Sequence, residues 1–286
     1  KEQPEGTVLP DDATFRRSIY QFDRNGDQFT FYYWERQIGS HPPLNGLLAS
    51  ASNYLFYQKL GIAGDIDSYH IFIVTVSALL VFLVVFIAYR WYGLFPGIVS
   101  GLALALYPLF FAESHVNIKD PVEAAFYSMT VYAFYKVVTT KKILWAILAS
   151  FCAAFALGTK FNIVFAPFTM TAWLVCYLIG KKDKFRILIS PAVWLSAVGM
   201  MAIPFIVLYA IWPSLWGRPI VGLKEVIGFY RDIGYGTTYQ PSQFLTLWGV
   251  NTFPLSAVVY ATPLITLFLS LAGIIHTVRY GWKEKN

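Results

Sequence analysis

Four side chains that could do acid–base or anion-binding chemistry lie in one stretch of eight residues, ESHVNIKD, which runs from Glu113 to Asp120. The other two are His115 and Lys119. A carboxylate or an imidazole can take a proton from a nucleophile, and an ammonium group can neutralise an anionic leaving group. The stretch lies between two apolar segments, where charge is costly. The pattern therefore indicates a functional site at the edge of a membrane.

Other polar residues lie in segments that we expect on the same side of the membrane. They are Asp11 and Asp12, His41 in SHPP, and Arg218, Lys224 and Arg231. A compact bundle brings such connections together, so we expect Asp12, His41, Asp120 and Arg218 to line one outward-facing cavity. Acids beside basic groups suit a reaction that needs a base and a cationic clamp.

Each of these residues also has a structural interpretation. Asp120 precedes Pro121 and could simply cap a helix. Lys160 could reach the lipid headgroups as a snorkelling side chain, and Tyr239 could anchor the chain at the interface instead of contacting sugar or lipid. Asp11 and Asp12 could be solvated loop residues, and His41 a structural hydrogen-bonding residue. A metal site built from His115, Glu113 and Asp120 has only a weak signature, since it offers a single histidine.

Composition identifies the elements that must position these residues. The chain of 286 residues is 57% hydrophobic and 13% charged, with a mean hydropathy of +0.53, which is typical of an integral membrane protein. About 20 apolar residues cross the hydrocarbon as a helix. We therefore predict an all-α, polytopic transmembrane helix bundle with about seven spans, at roughly 70–90, 94–112, 121–138, 143–159, 161–179, 187–211 and 252–278.

The basic residues of the short connections predict the orientation, because lysine and arginine accumulate on the cytoplasmic side. The predicted inner face holds eleven basic residues: Arg90, Lys136, Lys141, Lys142, Lys181, Lys182, Lys184, Arg186, Arg279, Lys283 and Lys285. The ESHVNIKD stretch then faces out. The net charge of +6 reflects this asymmetry and gives no reason to expect nucleic acid. Cys152 and Cys176 both fall within predicted spans, so a disulfide framework is not expected.

Four parts follow from the composition along the chain. They are an external segment with an amphipathic helix (1–68), a six-span bundle (69–211), an external loop (212–254), and a last span with a cytoplasmic tail (255–286). The amphipathic helix could lie on the bilayer surface or cap the bundle. The residues from Lys1 onward show no signal-peptide pattern. We therefore expect a further span upstream of Lys1, or alternatively a signal sequence that has been removed.

Several motifs, in their order and placement, resemble a known family. HPPLNGLLAS, ESHVNIKDPVEAAFY, LALGTKFNIVFAPF and WPSLWGRPI are similar to the GT-C glycosyltransferase superfamily, in the branch of dolichyl-phosphate-mannose protein mannosyltransferases and their bacterial relatives. In that family an acidic Asp-Glu motif precedes a His-Pro-Pro element, and a second external loop carries an Asp at the start of a span. His41 and Asp120 match the latter two features. Asp11 and Asp12 match the first in part, since Asp12 stands where the family has Glu; the true motif could also lie upstream of Lys1.

The resemblance implies a membrane enzyme that moves a sugar from a polyprenyl-phosphate carrier to an acceptor on the external face of a bacterial inner or plasma membrane. Asp12 and Asp120 would be the catalytic acids. The substrate-binding candidates are Asp11, His41, Glu113, His115, Lys119, Lys160, Arg218 and Tyr239, with Arg218, Lys119 and Lys160 proposed for the lipid phosphate. No cofactor is expected, and a divalent metal lacks support. The alternatives are a transporter or flippase of a lipid-linked substrate, which would need ionisable groups near the midplane, and a non-catalytic scaffold.

Overall fold

The computed structural model describes residues 42–117, 119–179, 181–212, 215–236, 246–247 and 250–280. The helices are α1 (Leu44–Asn53), α2 (Asp65–Tyr92), α3 (Leu94–Ala105), α4 (Pro108–Val116), α5 (Asp120–Thr140), α6 (Ile143–Thr159), α7 (Ala166–Leu178), α8 (Lys184–Leu188), α9 (Pro191–Ile211), α10 (Pro219–Gly236), α11 (Phe253–Ala261) and α12 (Leu264–Tyr280). A π-helical segment (Tyr54–Lys59) follows α1, and a 3₁₀ segment (Phe161–Phe165) precedes α7. Two strands of two residues, Thr246–Leu247 and Val250–Asn251, pair antiparallel. The prediction of an all-α architecture is confirmed.

Three helical stretches of the described chain are long and apolar enough to cross a membrane. They are Asp65–Tyr92, Phe161–Leu178 and Pro191–Ile211, and the pair α3 and α4, bent by 60°, could form a fourth. Two shorter apolar helices are Ile143–Thr159 and Leu264–Thr277. The prediction of seven spans is therefore supported for three or four of them and stays a prediction for the rest.

Large hydrophobic side chains face outward along these helices. Phe82 on α2 is 65% exposed, and Phe168 on α7 is 71% exposed. In a soluble protein such surfaces would be an aggregation hazard, whereas lipid tails accept them. The chain is an integral membrane protein.

Small residues allow neighbouring helices to approach closely. Gly97 and Gly101 of α3 are four residues apart and are the two buried residues of that helix. A Cβ atom at Gly97 would lie 3.1 Å from the carbonyl oxygen of Val85, and one at Gly101 would collide with the Val85 side chain. This small-xxx-small pattern is the one by which membrane helices pack without a hydrophobic driving force.

The bundle has two ends of different chemistry. At one end, aromatic rings of four helices pack together, with Trp91 5.6 Å from Tyr135, and Tyr135 5.6 Å from Trp173. The ammonium of Lys136 lies 5.7 Å from the centre of the Trp145 ring at this end. Aromatic residues at this level of a helix bundle are typical of a membrane–water interface. Asp120 and the end of α6 lie at the opposite end, because α5 and α6 form an antiparallel hairpin.

Helix α1 packs against that opposite end of the bundle. The side chains of Leu44, Asn45 and Ala49 are buried. The hydroxyl of Thr159, which is itself fully buried, donates to the Asn45 side-chain oxygen at 3.1 Å. The His-Pro-Pro element immediately precedes α1, so the chain docks its proline pair beside the end of α6.

The contact between α1 and α6 depends on the absence of a side chain at Gly158. A Cβ atom there would lie 3.0 Å from Leu44 Cβ and 3.4 Å from Ile211 Cδ1. We expect Gly158→Val to separate the two helices and to lower the free energy of unfolding by about 1–3 kcal/mol, read as a lower Tm in detergent. Gly273→Val is the matched control, because a Cβ atom at Gly273 meets nothing within 4 Å. Equal Tm values for both variants would show that the α1 contact is not tight.

Candidate active site

Asp120 and Lys160 form an ion pair at the end of the bundle that α1 caps. The Lys160 ammonium lies 2.6 Å from Asp120 Oδ1, with the lysine and aspartate side chains 28% and 50% exposed. The second oxygen, Oδ2, accepts a hydrogen bond of 3.1 Å from the Asn117 amide. The carboxylate is therefore held from both sides while half of it remains open to solvent.

Asn117, and not Asp120, supplies the cap of α5. Its side-chain oxygen accepts hydrogen bonds from the backbone N–H groups of Lys119 and Asp120, at 2.9 and 3.2 Å. Such a side-chain to backbone pattern is common for asparagine at a helix start. In the described part of the chain, the Asp120 carboxylate is hydrogen-bonded to the side chains of Asn117 and Lys160, so this turn does not use it as a cap, and its role in catalysis stays a prediction.

Lys119 adds a second positive charge to the same place. Its side chain is half-buried, and desolvation together with the neighbouring Lys160 lowers the pKa of Lys119, which Asp120 opposes. Two ammonium groups that repel each other across a short distance raise the local positive potential. An anion that binds between them would relieve this repulsion.

Lys160 is presented by a break in the chain between α6 and the 3₁₀ segment. Its backbone is extended, with φ −158° and ψ 150°, and the next residue, Phe161, packs its ring 6.2 Å from the ring of the fully buried Trp212. Thr159, on the other side of Lys160, is held by Asn45. Both neighbours of Lys160 are thus anchored, which fixes the base of its flexible side chain.

Glu123 is a buried carboxyl group in the first turn of α5. Only 6% of the residue is exposed. Neither of its oxygens has a hydrogen-bond partner of good geometry, and the backbone N–H of Ile163 interacts with it only weakly. Lys160 and Asp120 are the charged groups that act on it. The site therefore has two acids and two lysines.

The structure brings together only part of the predicted set. Lys119, Asp120 and Lys160 meet. His115 instead contacts its own helix, with Nδ1 2.7 Å from the Phe111 carbonyl oxygen, and Arg218 pairs with Glu225 at 3.1 Å. No contact links Glu113 to the ion pair in the described part of the chain. Asp11, Asp12, His41 and Tyr239 lie outside the described residues, so their convergence stays a prediction. Within the described ranges no group of three potential ligands could hold a metal ion.

Three positioning features were missed by sequence reasoning. The buried Glu123 could have been suspected, because it lies three residues after Asp120 and so on the same helix face. Asn117 three residues before Asp120 is a recognisable turn pattern. The contact between Asn45 and Thr159 gave no local signal, since 114 residues separate the two.

Two apolar cavities among the described residues have no contribution from Asp120 or Lys160 to their lining. One, of about 440 Å³, is lined by aromatic residues that include Trp91, Tyr132 and Trp173. The other, of about 210 Å³, lies between the 3₁₀ segment, α6, α7 and α9 and is lined by Leu157, Ile163 and Pro204. Ile163 lines the smaller cavity, and its backbone N–H acts on Glu123.

A family model described as dolichyl-phosphate-mannose-protein mannosyltransferase matches residues 40–212, which is more than half of the chain. The matched range includes Lys119, Asp120 and Lys160 and excludes Asp12 and Arg218. No curated protein and no solved structure matches the chain. The chain belongs to the dolichyl-phosphate-mannose-protein mannosyltransferase family, and it is a membrane glycosyltransferase of the GT-C type.

Proposed function

We propose that the protein transfers a sugar from a polyprenyl-phosphate carrier to an acceptor on the external face of a bacterial plasma membrane, at the Asp120–Lys160 pair. The observation that carries the proposal is the pairing itself. A half-exposed carboxylate lies within 2.6 Å of an ammonium group, beside a second lysine, in the range that the family model covers. A base and an anion clamp are the two groups that such a transfer needs.

The roles follow from the chemistry of glycosyl transfer. The acceptor hydroxyl attacks the anomeric carbon and gives its proton to the Asp120 carboxylate, which provides the base that a weak nucleophile requires. The bond between the anomeric carbon and the phosphate oxygen breaks, and the carrier phosphate leaves with the electron pair. Lys160 and Lys119 neutralise this charge with charge-assisted hydrogen bonds. Asp12 remains the predicted first acid.

The carrier's apolar chain could occupy the smaller cavity. This cavity is lined almost wholly by apolar groups, including Leu157, Ile163 and Pro204. Isoprene units gain free energy there in proportion to the apolar area they bury. A phosphate at Lys160 with its chain in this cavity would place the sugar near the open side of Asp120.

The test gives reconstituted protein a radiolabelled sugar on polyprenyl phosphate and follows its transfer to membrane and soluble acceptors. We expect transfer from this donor and none from the same sugar on a nucleoside diphosphate. The nucleotide lacks the apolar chain, so it cannot use the cavity. Movement of intact carrier across the bilayer without loss of the sugar would instead support a flippase, and transfer from the nucleotide alone would overturn the proposal.

A further inference from the structure

Glu123 has a role that the proposed reaction does not yet use. An ionised carboxylate that is buried without a cation or a hydrogen bond is strongly unfavourable, so the resting group is neutral. Such buried polar groups without partners are rare in folded proteins and need an explanation. The charged groups that act on Glu123 are Lys160, from the end of α6, and Asp120, one turn earlier on α5. Helix α1 has no ionisable side chain.

The resting ion pair leaves Asp120 poorly prepared to act as a base. Oδ1 is bound by Lys160 at 2.6 Å and Oδ2 by Asn117 at 3.1 Å. A cation this close favours the ionised form and so weakens the carboxylate as a proton acceptor. Lys160 must move away from Asp120 before the proton is transferred, and when it turns toward the carrier phosphate its half-buried ammonium still has N–H groups that need a second acceptor within the protein.

We propose that Glu123 is the second acceptor for Lys160, so that the ammonium moves from Asp120 to Glu123 and frees Asp120 to act as the base. This inference rests on the proposed function. Asp120 and Glu123 are three residues apart on one helix, so their side chains are neighbours. The four-carbon stem of the lysine side chain is flexible, so the ammonium can move while the anchored backbone stays in place.

The exchange forms no covalent bond. As the ammonium arrives, Glu123 loses its proton to water and becomes the counterion of Lys160. When the ammonium returns to Asp120, Glu123 takes up a proton again. Glu123 is thus a positioning residue: it acts through Lys160 and does not itself touch the sugar.

The test is a double-mutant cycle on thermal unfolding of the full chain in detergent, with Asp120→Asn and Glu123→Gln. In the wild type, Lys160 rests on Asp120, so Glu123→Gln changes Tm little. In the Asp120→Asn background Glu123 is the acceptor for Lys160 among the described acids of the site, so we expect the second change to lower Tm by at least about 3 °C more than it does alone. Additive shifts would overturn the proposal. Glu225→Gln is the matched second-site control, since its exposed pair with Arg218 contributes little.

The pH dependence separates pairing from packing. The extra loss in the double variant depends on an ionised Glu123, so it should be present at pH 7 and smaller at pH 4, because acid favours the protonated carboxyl group. A loss that is equal at both pH values would assign Glu123 a packing role only. Neither measurement uses catalysis, so failure here leaves the proposed transfer intact, and failure of the transfer assay leaves this result standing.

Discussion

Replacing Asp120 by asparagine is expected to lower kcat for sugar transfer by about 10²- to 10⁴-fold, the usual contribution of a general base. Asparagine keeps the size of the side chain and its hydrogen bond with Asn117, but it cannot take a proton. Lys160 keeps its charge, so the KM for the carrier-linked donor should change little. The measurement is steady-state transfer of labelled sugar in proteoliposomes.

Asp183→Asn is the matched control for that variant. Asp183 is an exposed carboxylate just before α8, in a connection that we predict on the cytoplasmic side. It should leave kcat unchanged. Unchanged turnover in Asp120→Asn would remove this residue from the mechanism, and equal losses in both variants would point to a general effect of removing charge.

Replacing Lys160 by methionine is expected to weaken donor binding by about ten- to a hundredfold. Methionine keeps the length of the side chain and removes the charge-assisted hydrogen bond to the phosphate, which is worth about 1.5–3 kcal/mol. The free carrier phosphate should bind more weakly by a similar factor, because the contact is to the phosphate and not to the sugar. Binding of both ligands to the protein in nanodiscs measures this effect.

Arginine at the same position provides the informative comparison. Lys160→Arg keeps a cation that can contact phosphate with two hydrogen bonds, so it should recover much of the lost affinity. Lys142→Met is the control, since Lys142 is an exposed lysine in the turn at the opposite end of the α5–α6 hairpin. If all three variants bound the donor alike, Lys160 would have no part in holding the phosphate.

The pairing of Asp120 with Lys160 was within reach of sequence reasoning. Helices α5 and α6 have 21 and 17 residues and are joined by a turn of two, Lys141 and Lys142, in which Lys141 has a left-handed φ of 57°. At 1.5 Å per residue the two helices have similar lengths. The first residue of α5, Asp120, must therefore lie near the residue that follows α6, Lys160, and these two residues have opposite charges.

The rotation of each helix about its axis was not predictable from composition. His115 lies on α4, which is bent by 60° from α3, and its ring packs 4.6 Å from that of Phe111. His115, which the sequence suggested as a substrate-binding residue in an outer loop, therefore lies on a helix and contacts that helix instead of the ion pair. Glu123 shows the opposite case: rotation of α5 buries a carboxyl group that its position at the membrane edge would leave exposed.

The docking of α1 shows a further limit of the sequence. The periodic apolar residues predicted an amphipathic helix. They did not distinguish a position on the bilayer surface from one at the end of the bundle. The packing of α1 against the bundle depends on Gly158, where a Cβ atom would lie 3.0 Å from Leu44 Cβ. It also depends on the hydrogen bond between Asn45 and Thr159. These are contacts between distant parts of the chain, which no local pattern reveals.

The most direct test of the account asks whether the donor binds at this end of the bundle, on the outer face. Val116 is 70% exposed and next to Asn117, so Val116→Cys reports on the site without removing any of its groups. Cys176→Ser removes the exposed native thiol, and the buried Cys152 stays. In sealed, right-side-out vesicles a membrane-impermeant maleimide should label position 116, and polyprenyl-phosphate sugar should slow that labelling. Labelling only after the vesicles are opened, or at a rate that the donor does not change, would contradict the central claim.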